Sequence, residues 1–122
     1  TEWTRDTLSR HIEQLLDELG LDYDLEWRLA GEPFLTEAGQ LTDAVSTAVK
    51  EETGLDPELS TSGGTSDGRY ISPYGVDVVE IGPINTTIHK VNETLDIGDV
   101  PRLERIYFRI AEILLGSSVS SD

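Results

Sequence analysis

The stretch 62–93, SGGTSDGRYISPYGVDVVEIGPINTTIHKVNE, sets the tightest limits on how this chain can fold. Two glycine-rich turns frame a short apolar run. Residues 76–81 carry Val76, Val78, Val79 and Ile81 between Gly75 and Gly82-Pro83. A β-branched run of that length, bounded by turn residues, predicts a strand covered on both faces. Loops at the ends of such strands are where α/β proteins place their chemistry. Ser62-Gly63-Gly64-Thr65 lies on one side of the run and 85–93 on the other. Gathered at one edge, the two loops would present backbone N–H groups together with Thr65, Asp67, Arg69, Asn85 and His89.

The rest of the chain supplies helices and one further strand. Leu8, Ile12, Leu15, Leu16 and Leu19 recur at helical spacing, which predicts a helix over 4–19. Thr4 is placed to cap it, Asp6 suits its positive end, and Gly20 ends it. Residues 21–29 alternate: Leu21, Tyr23, Leu25, Trp27 and Leu29 share one face, while Asp22, Asp24, Glu26 and Arg28 share the other. That is the pattern of a strand with one wet face. One helix on one strand leaves both strand edges unpaired, so the missing strands are expected from another polypeptide, another copy or a preceding part of the chain. Ala30-Gly31-Glu32-Pro33 breaks both periodicities and reads as a hinge. A second helix is predicted over 37–52, capped by Thr36, with Leu41, Ala44, Val45, Ala48 and Val49 as its apolar stripe and Gly54 as its end. Residues 59–61 are a short strand candidate. A third helix is predicted over 101–115, capped by Asp99, with Leu103, Ile106, Tyr107, Ile110, Ile113 and Leu114 inward. Gly116 closes it, and 117–122 reads as a frayed tail.

Charge and composition exclude some functions. The formal net charge is -15, from 24 acidic and 9 basic residues. Phosphate binding needs Lys and Arg, so nucleic acid is not an expected partner. The acids are dispersed, as on a solvated surface; adaptation to high salt is the sharper alternative, and a melting temperature that rises with salt would mark it. There is no Cys, which excludes disulfides and thiolate metal sites. No unbroken apolar stretch could span a bilayer, and no leader-like segment opens the chain. A cytoplasmic setting is compatible with this.

Several motifs have a plain structural explanation beside the chemical one. The glycines at 63 and 64 permit close approach of a ligand, but no Gly-Lys-Ser or Gly-Lys-Thr follows, so a phosphate loop is excluded. Asp67 and Arg69 can pair locally, or Arg69 can receive a carboxylate. Glu51 and Glu52 are adjacent on a helix and point about 100° apart, which suits a solvated face better than one metal ion. His11 sits beside the first helix's apolar stripe as a boundary residue. His89 on its own is a poor metal candidate, because zinc sites take three or four protein ligands.

The segments SGGTSDGR and VVEIGPINTTIHKVNE resemble the C-terminal part of the succinyl-diaminopimelate desuccinylases. These belong to the wider group of two-zinc aminoacylases, deacetylases and carboxypeptidases. LDYDLEWRLAGEPFLT resembles the same enzymes where the lid domain returns to the catalytic domain. The likeness runs to about Leu115. It implies an α/β fold in incomplete form: a lid-type helix–strand unit followed by the C-terminal part of a zinc-peptidase-like catalytic domain. The implied divisions are 1–31 for the lid and dimerisation part, 32–116 for the catalytic part and 117–122 for the tail. In this family a serine is expected near position 30 to help hold substrate; Ala30 cannot hydrogen-bond through its side chain.

What the resemblance implies chemically is hydrolysis of N-succinyl-diaminopimelate to succinate and diaminopimelate by a bacterial cytoplasmic enzyme carrying two zinc ions, with cobalt as a possible substitute. The histidine of IHKVNE, His89, corresponds to a metal ligand. Gly64 and Thr65 correspond to substrate-holding positions and Asn85 to an amide that contacts substrate; Arg69 is a candidate carboxylate partner on the chemistry of its guanidinium, or equally the structural partner of Asp67. Asp67 or Glu93 would orient the imidazole of His89. The family's other ligands and its catalytic base lie in motifs that do not occur in these residues, so this chain alone is expected to be inactive. A related deacylase, such as acetylornithine deacetylase, is the enzyme alternative; a non-catalytic dimerisation module is the other. A homodimer or strand-exchanged oligomer is expected from the unpaired edges of 21–29.

Overall fold

A computed structural model of the chain describes residues 2–64, 66–84 and 86–116. The expected frayed tail, 117–122, lies outside the described residues. Contacts divide the chain into two units. The first takes Thr1–Leu35 and Ser62–Val76, the second Thr36–Thr61 and Asp77–Asp122.

In the first unit, helix α1 spans Arg5–Glu18. The Thr4 hydroxyl accepts the Thr7 N–H while the Thr7 hydroxyl accepts the Thr4 N–H, a reciprocal cap that satisfies two N-terminal donors. At the other end Gly20, with φ 65°, donates its N–H to the Asp17 carbonyl, and the Leu21 N–H reaches Leu16. This is the paired closure that a left-handed glycine allows. Start and stop therefore fall where the sequence places them. The apolar stripe of α1 is not buried, however, and Leu8 and Leu15 stay 40% and 45% exposed.

Residues 21–29 follow without a backbone ladder. Alternation gives a segment two faces, but a strand exists only where a neighbour takes its N–H and C=O groups. Here the aromatic face is anchored on α1 through its polar atoms. The Tyr23 hydroxyl donates to Asp17 Oδ1 at 3.0 Å, and Trp27 Nε1 donates to Glu13 Oε1 at 2.8 Å. Short helix α3, Gly68–Ile71, and a 3-10 turn at Ser72–Tyr74 complete the first unit.

The second unit holds the buried residues of apolar type. Helix α2 spans Gln40–Thr53 and helix α4 spans Asp99–Leu115, and the two pack together. Ala44, Val45 and Ala48 of α2 and Ile106 of α4 are buried. Small alanines let the two backbones approach, and Ile106 fills the seam. Leu103, Ile110 and Ile113 lie partly covered along the same stripe, whereas Tyr107 and Leu114, also expected inward, are exposed. Tyr107 instead donates its hydroxyl to the Ile81 carbonyl. Gly54, with φ 74°, ends α2 as the sequence indicates.

Three expectations about these elements are corrected. Helix α2 starts at Gln40, not 37, with Gly39 as N-cap; the Thr42 hydroxyl accepts the Gly39 N–H at 2.8 Å. Thr36 does not cap it, because its hydroxyl is engaged by Val78, donating to the carbonyl at 2.6 Å and accepting the N–H at 3.0 Å. Helix α4 starts at Asp99 with Gly98 as N-cap, and Asp96, not Asp99, accepts the Gly98 N–H.

The expected α/β arrangement is absent among the described residues, which contain helices and no strand. Residues 76–81 are not covered on both faces; Val76 is 52% exposed. Thr36 takes both backbone groups of Val78, where a strand would give them to a neighbour. Residues 59–61 likewise form no ladder. Among the described residues no helix is long and apolar enough to cross a membrane.

Candidate functional site

From Ser66 on, the SGGTSDGR segment forms a turn that launches α3. The Ser66 hydroxyl accepts the Gly68 N–H at 3.0 Å, and the Asp67 carbonyl accepts the Tyr70 N–H at 2.9 Å. This is the local competition of a serine side chain for backbone donors that turns favour. Gly64 is exposed, and a Cβ built on it would meet nothing within 4 Å. Thr65 lies outside the described residues.

Arg69 is partly buried within the same unit. Its Nη2 donates to the Tyr70 hydroxyl at 2.9 Å, and its guanidinium carbon lies 4.7 Å from the centre of the Tyr70 ring. Among the described residues, Arg69 Nε is buried with no hydrogen-bond partner. The local Asp67–Arg69 pair does not form; Asp67 is exposed.

In the second unit, residues 86–94 form a succession of turns closed by a threonine clasp. The Thr87 hydroxyl donates to the Thr94 carbonyl and accepts the Thr94 N–H, each at 2.9 Å. Lys90 reinforces the turn by donating its N–H to the Thr87 carbonyl and its ammonium to the Thr86 carbonyl. The clasped loop carries two left-handed residues that are not glycine, His89 at φ 61° and Asn92 at φ 60°. Asn adopts this region readily, while for His it costs on the order of 1 kcal/mol, which the closed loop must hold. His89 is exposed, and no hydrogen bond or ion pair joins it to Glu93, which is also exposed. Asn85 lies outside the described residues.

The candidate residues are thus shared between the units, with Gly64, Asp67 and Arg69 in the first and His89 and Glu93 in the second. Among the described residues no group of three or more His, Cys, Asp or Glu is arranged to hold a metal ion. A zinc ion needs three or four such ligands, and His89 belongs to no such group among the described residues. The residues present do not by themselves fit a metal centre.

Other candidates resolve into structural roles. His11 stacks on Trp3, ring centres 5.1 Å apart and planes 30° apart. Glu51 and Glu52 are not simply solvated, since Glu51 accepts from Arg109 Nε at 2.7 Å and Glu52 from Arg105 Nε at 2.8 Å. Those bonds hold both carboxyls below the usual carboxylate range. Arg105 and Arg109 stand four apart on α4, a spacing visible in the sequence whose purpose depends on where α2 packs. A groove of about 550 Å³ lies beside this helix pair, its apolar wall including Val45, Val49, Leu59, Val79, Ile81 and Ile106. The roles of Tyr70 and of the Thr87–Thr94 clasp were hidden in sequence, because nothing in residue type tells which neighbour a tyrosine or threonine hydroxyl will find.

Comparison with known proteins extends over nearly all of these elements. Over 115 residues the chain is 56% identical to the succinyl-diaminopimelate desuccinylase of Nitrosococcus oceani, covering 94% of this chain and 31% of that protein. The desuccinylases of Nitrosomonas europaea and Thioalkalivibrio sulfidiphilus are 54% and 52% identical over the same shares. The chain therefore spans about a third of the length of the curated relatives it matches. The model of peptidase family M20/M25/M40 matches residues 4–113, from the cap of α1 into the last turn of α4, and on that match the chain belongs to this family.

Proposed function

We propose that this chain is part of a metal-dependent amidohydrolase that hydrolyses N-succinyl-diaminopimelate to succinate and diaminopimelate, in the bacterial cytoplasm, for lysine and cell-wall precursor synthesis. The observation that carries this is the identity of 51–56% to desuccinylases across 94% of the chain, including both glycine- and histidine-bearing loops. In this proposal 1–31 belongs to a lid and dimerisation domain, and 32–116 to a catalytic domain. Residues 21–29 and 76–81 become strands of an α/β fold when neighbours supply the ladders that these residues lack by themselves. The exposed face of Leu21, Tyr23, Leu25, Trp27 and Leu29 supports a dimer or a strand-exchanged oligomer.

Roles follow by position. His89 contributes one ligand to a zinc site whose other ligands these 122 residues do not supply. Its left-handed backbone, held by the Thr87–Thr94 clasp, fits a functional position, because strain of this kind persists where surroundings enforce it. Asp67 or Glu93 would orient its imidazole. Gly64 and Thr65 would let substrate approach the backbone, Asn85 would contact it through its amide, and Arg69 would pair with a carboxylate. Alone, the 122 residues supply one ligand and no matched base, so they should neither hold two zinc ions tightly nor turn over.

The test uses the full-length protein that carries this sequence. N-succinyl-diaminopimelate should be hydrolysed in preference to N-acetylornithine. His89→Ala should lower bound metal and turnover together, by about 100-fold or more in turnover. Asn85→Ala should raise KM with metal content near normal. Preference for the acetyl substrate, or full turnover and metal in His89→Ala, would refute the proposal.

A further inference from the structure

Arg69 has the surroundings of a receiving group. Among the described residues Arg5, Arg10, Arg28, Arg69 and Lys90 have no ion pair, and of these Arg69 alone is partly buried. Lys50, Arg102, Arg105 and Arg109 each pair with a carboxylate. Among the described residues Arg69 does not, although it is partly buried where the other Lys and Arg side chains are exposed. The guanidinium carbon lies over the Tyr70 ring, 4.7 Å from its centre, and the Tyr70 hydroxyl accepts a hydrogen bond from Nη2 at 2.9 Å. Nε is desolvated and finds no partner among the described residues.

The stem of Arg69 is set by a second contact. A Cβ on residue 31 would stand 2.8 Å from Arg69 Cδ and 3.4 Å from its Cβ and Cγ. Gly31 is not in the left-handed region, so its backbone conformation does not call for glycine; the close passage of the arginine stem does. Sequence separates these residues widely, yet both belong to the first unit.

We propose that Gly31 and Tyr70 are positioning residues for Arg69, and that the guanidinium they fix receives a carboxylate of the substrate. The stem passes close along Gly31, and Tyr70 holds the guanidinium carbon over its ring and occupies one donor. The remaining donors are confined to one plane. A carboxylate is the acceptor whose two oxygens match a guanidinium edge. One cation balances one negative charge, which suits a carboxylate better than a phosphate dianion. The substrate's identity rests on the desuccinylase proposal; the existence of the site does not.

The experiment uses the full-length protein and two probes, succinate and diaminopimelate, which between them carry every carboxylate of the proposed substrate. Calorimetry gives Kd for each probe with wild type, Arg69→Lys, Tyr70→Phe and Gly31→Ala. One probe should weaken about tenfold or more in Arg69→Lys and about 3–10-fold in Tyr70→Phe and Gly31→Ala, while the other is unchanged. KM for N-succinyl-diaminopimelate should rise by a similar factor in Tyr70→Phe, with kcat within about twofold. Wild-type affinity for both probes in Tyr70→Phe and Gly31→Ala would overturn the positioning role. Wild-type affinity in Arg69→Lys would overturn the carboxylate site. Equal weakening of both probes with a fallen kcat would mark a purely structural role and also overturn it. A wild-type protein that binds a probe through Arg69 but does not hydrolyse the succinyl substrate would sink the proposed function and leave this inference standing. One that binds neither probe would overturn both.

Discussion

Helices α1 and α4 begin from the same sequence recipe and end in different surroundings. Each has an apolar stripe at three- and four-residue spacing. Along α4 that stripe meets Ala44 and Ala48 of α2, and Ile106 falls to 4% exposed. Along α1 the neighbouring segment, 21–29, attaches through a tyrosine hydroxyl and an indole N–H, and no residue of α1 is buried. The stripe makes a helix amphipathic; it does not provide the surface that covers it. Small residues on a facing helix do provide it, because they let the backbones come close enough for a larger side chain to be enclosed.

Core truncation should show the contrast most strongly. Ile106→Ala should destabilise the second unit by about 2–5 kcal/mol, since it removes buried methyl groups and leaves a cavity. The matching change in the first unit, Leu15→Ala, should cost within about 0.5 kcal/mol, because Leu15 is 45% exposed. Hydrogen exchange of each helix, read in both variants, checks this. Similar losses in the two units would show that α1 finds an apolar cover in solution.

A smaller effect is expected at Trp27. Trp27→Phe keeps an aromatic ring and removes the N–H that reaches Glu13, so residues 21–29 should loosen from α1 at a cost of about 0.5–1 kcal/mol. Exchange protection in the second unit should stay as in wild type. If protection there also fell, the two units would be energetically coupled and the contrast would fail.

The smallest effects should separate the units by pH. In the second unit the carboxyls of Glu51 and Glu52 are depressed, first by hydrogen bonds from Arg109 and Arg105 and then by their charge, against an opposing cost of desolvation. A depressed carboxyl contributes stability above its unfolded value, and that contribution disappears as pH falls through the folded value. In the first unit the Tyr23 hydroxyl is raised, first by partial burial and then by its bond to Asp17 and the nearby charge of Asp17 and Glu13. That contribution is complete below the unfolded tyrosine value and disappears as pH rises through the folded one. Acid should therefore loosen α4 from α2 first, and alkali should loosen 21–29 from α1 first. Exchange mapping across both limbs tests it, and the same unit yielding first at both ends would contradict it.

What the sequence determined by itself is local. Thr4 and Gly20 bound α1 and Gly54 ends α2, because a cap needs only the residues within one turn of it. The family was legible in GGTSDGR and GPINTTIHKVNE, which are long, specific strings. Tertiary structure decided what depends on a partner distant in sequence. Thr36 left the cap of α2 for Val78, and Glu51 and Glu52 found Arg109 and Arg105. Residues 21–29 and 76–81 have the composition of strands and no ladder. A strand is a relation between two segments, so its pattern can be written in one chain segment while its existence depends on another. Arg69 shows the same division at the candidate site. Its residue type announces a carboxylate partner, but only folding brings Gly31 beneath its stem, because a contact between positions so far apart leaves no periodicity to read.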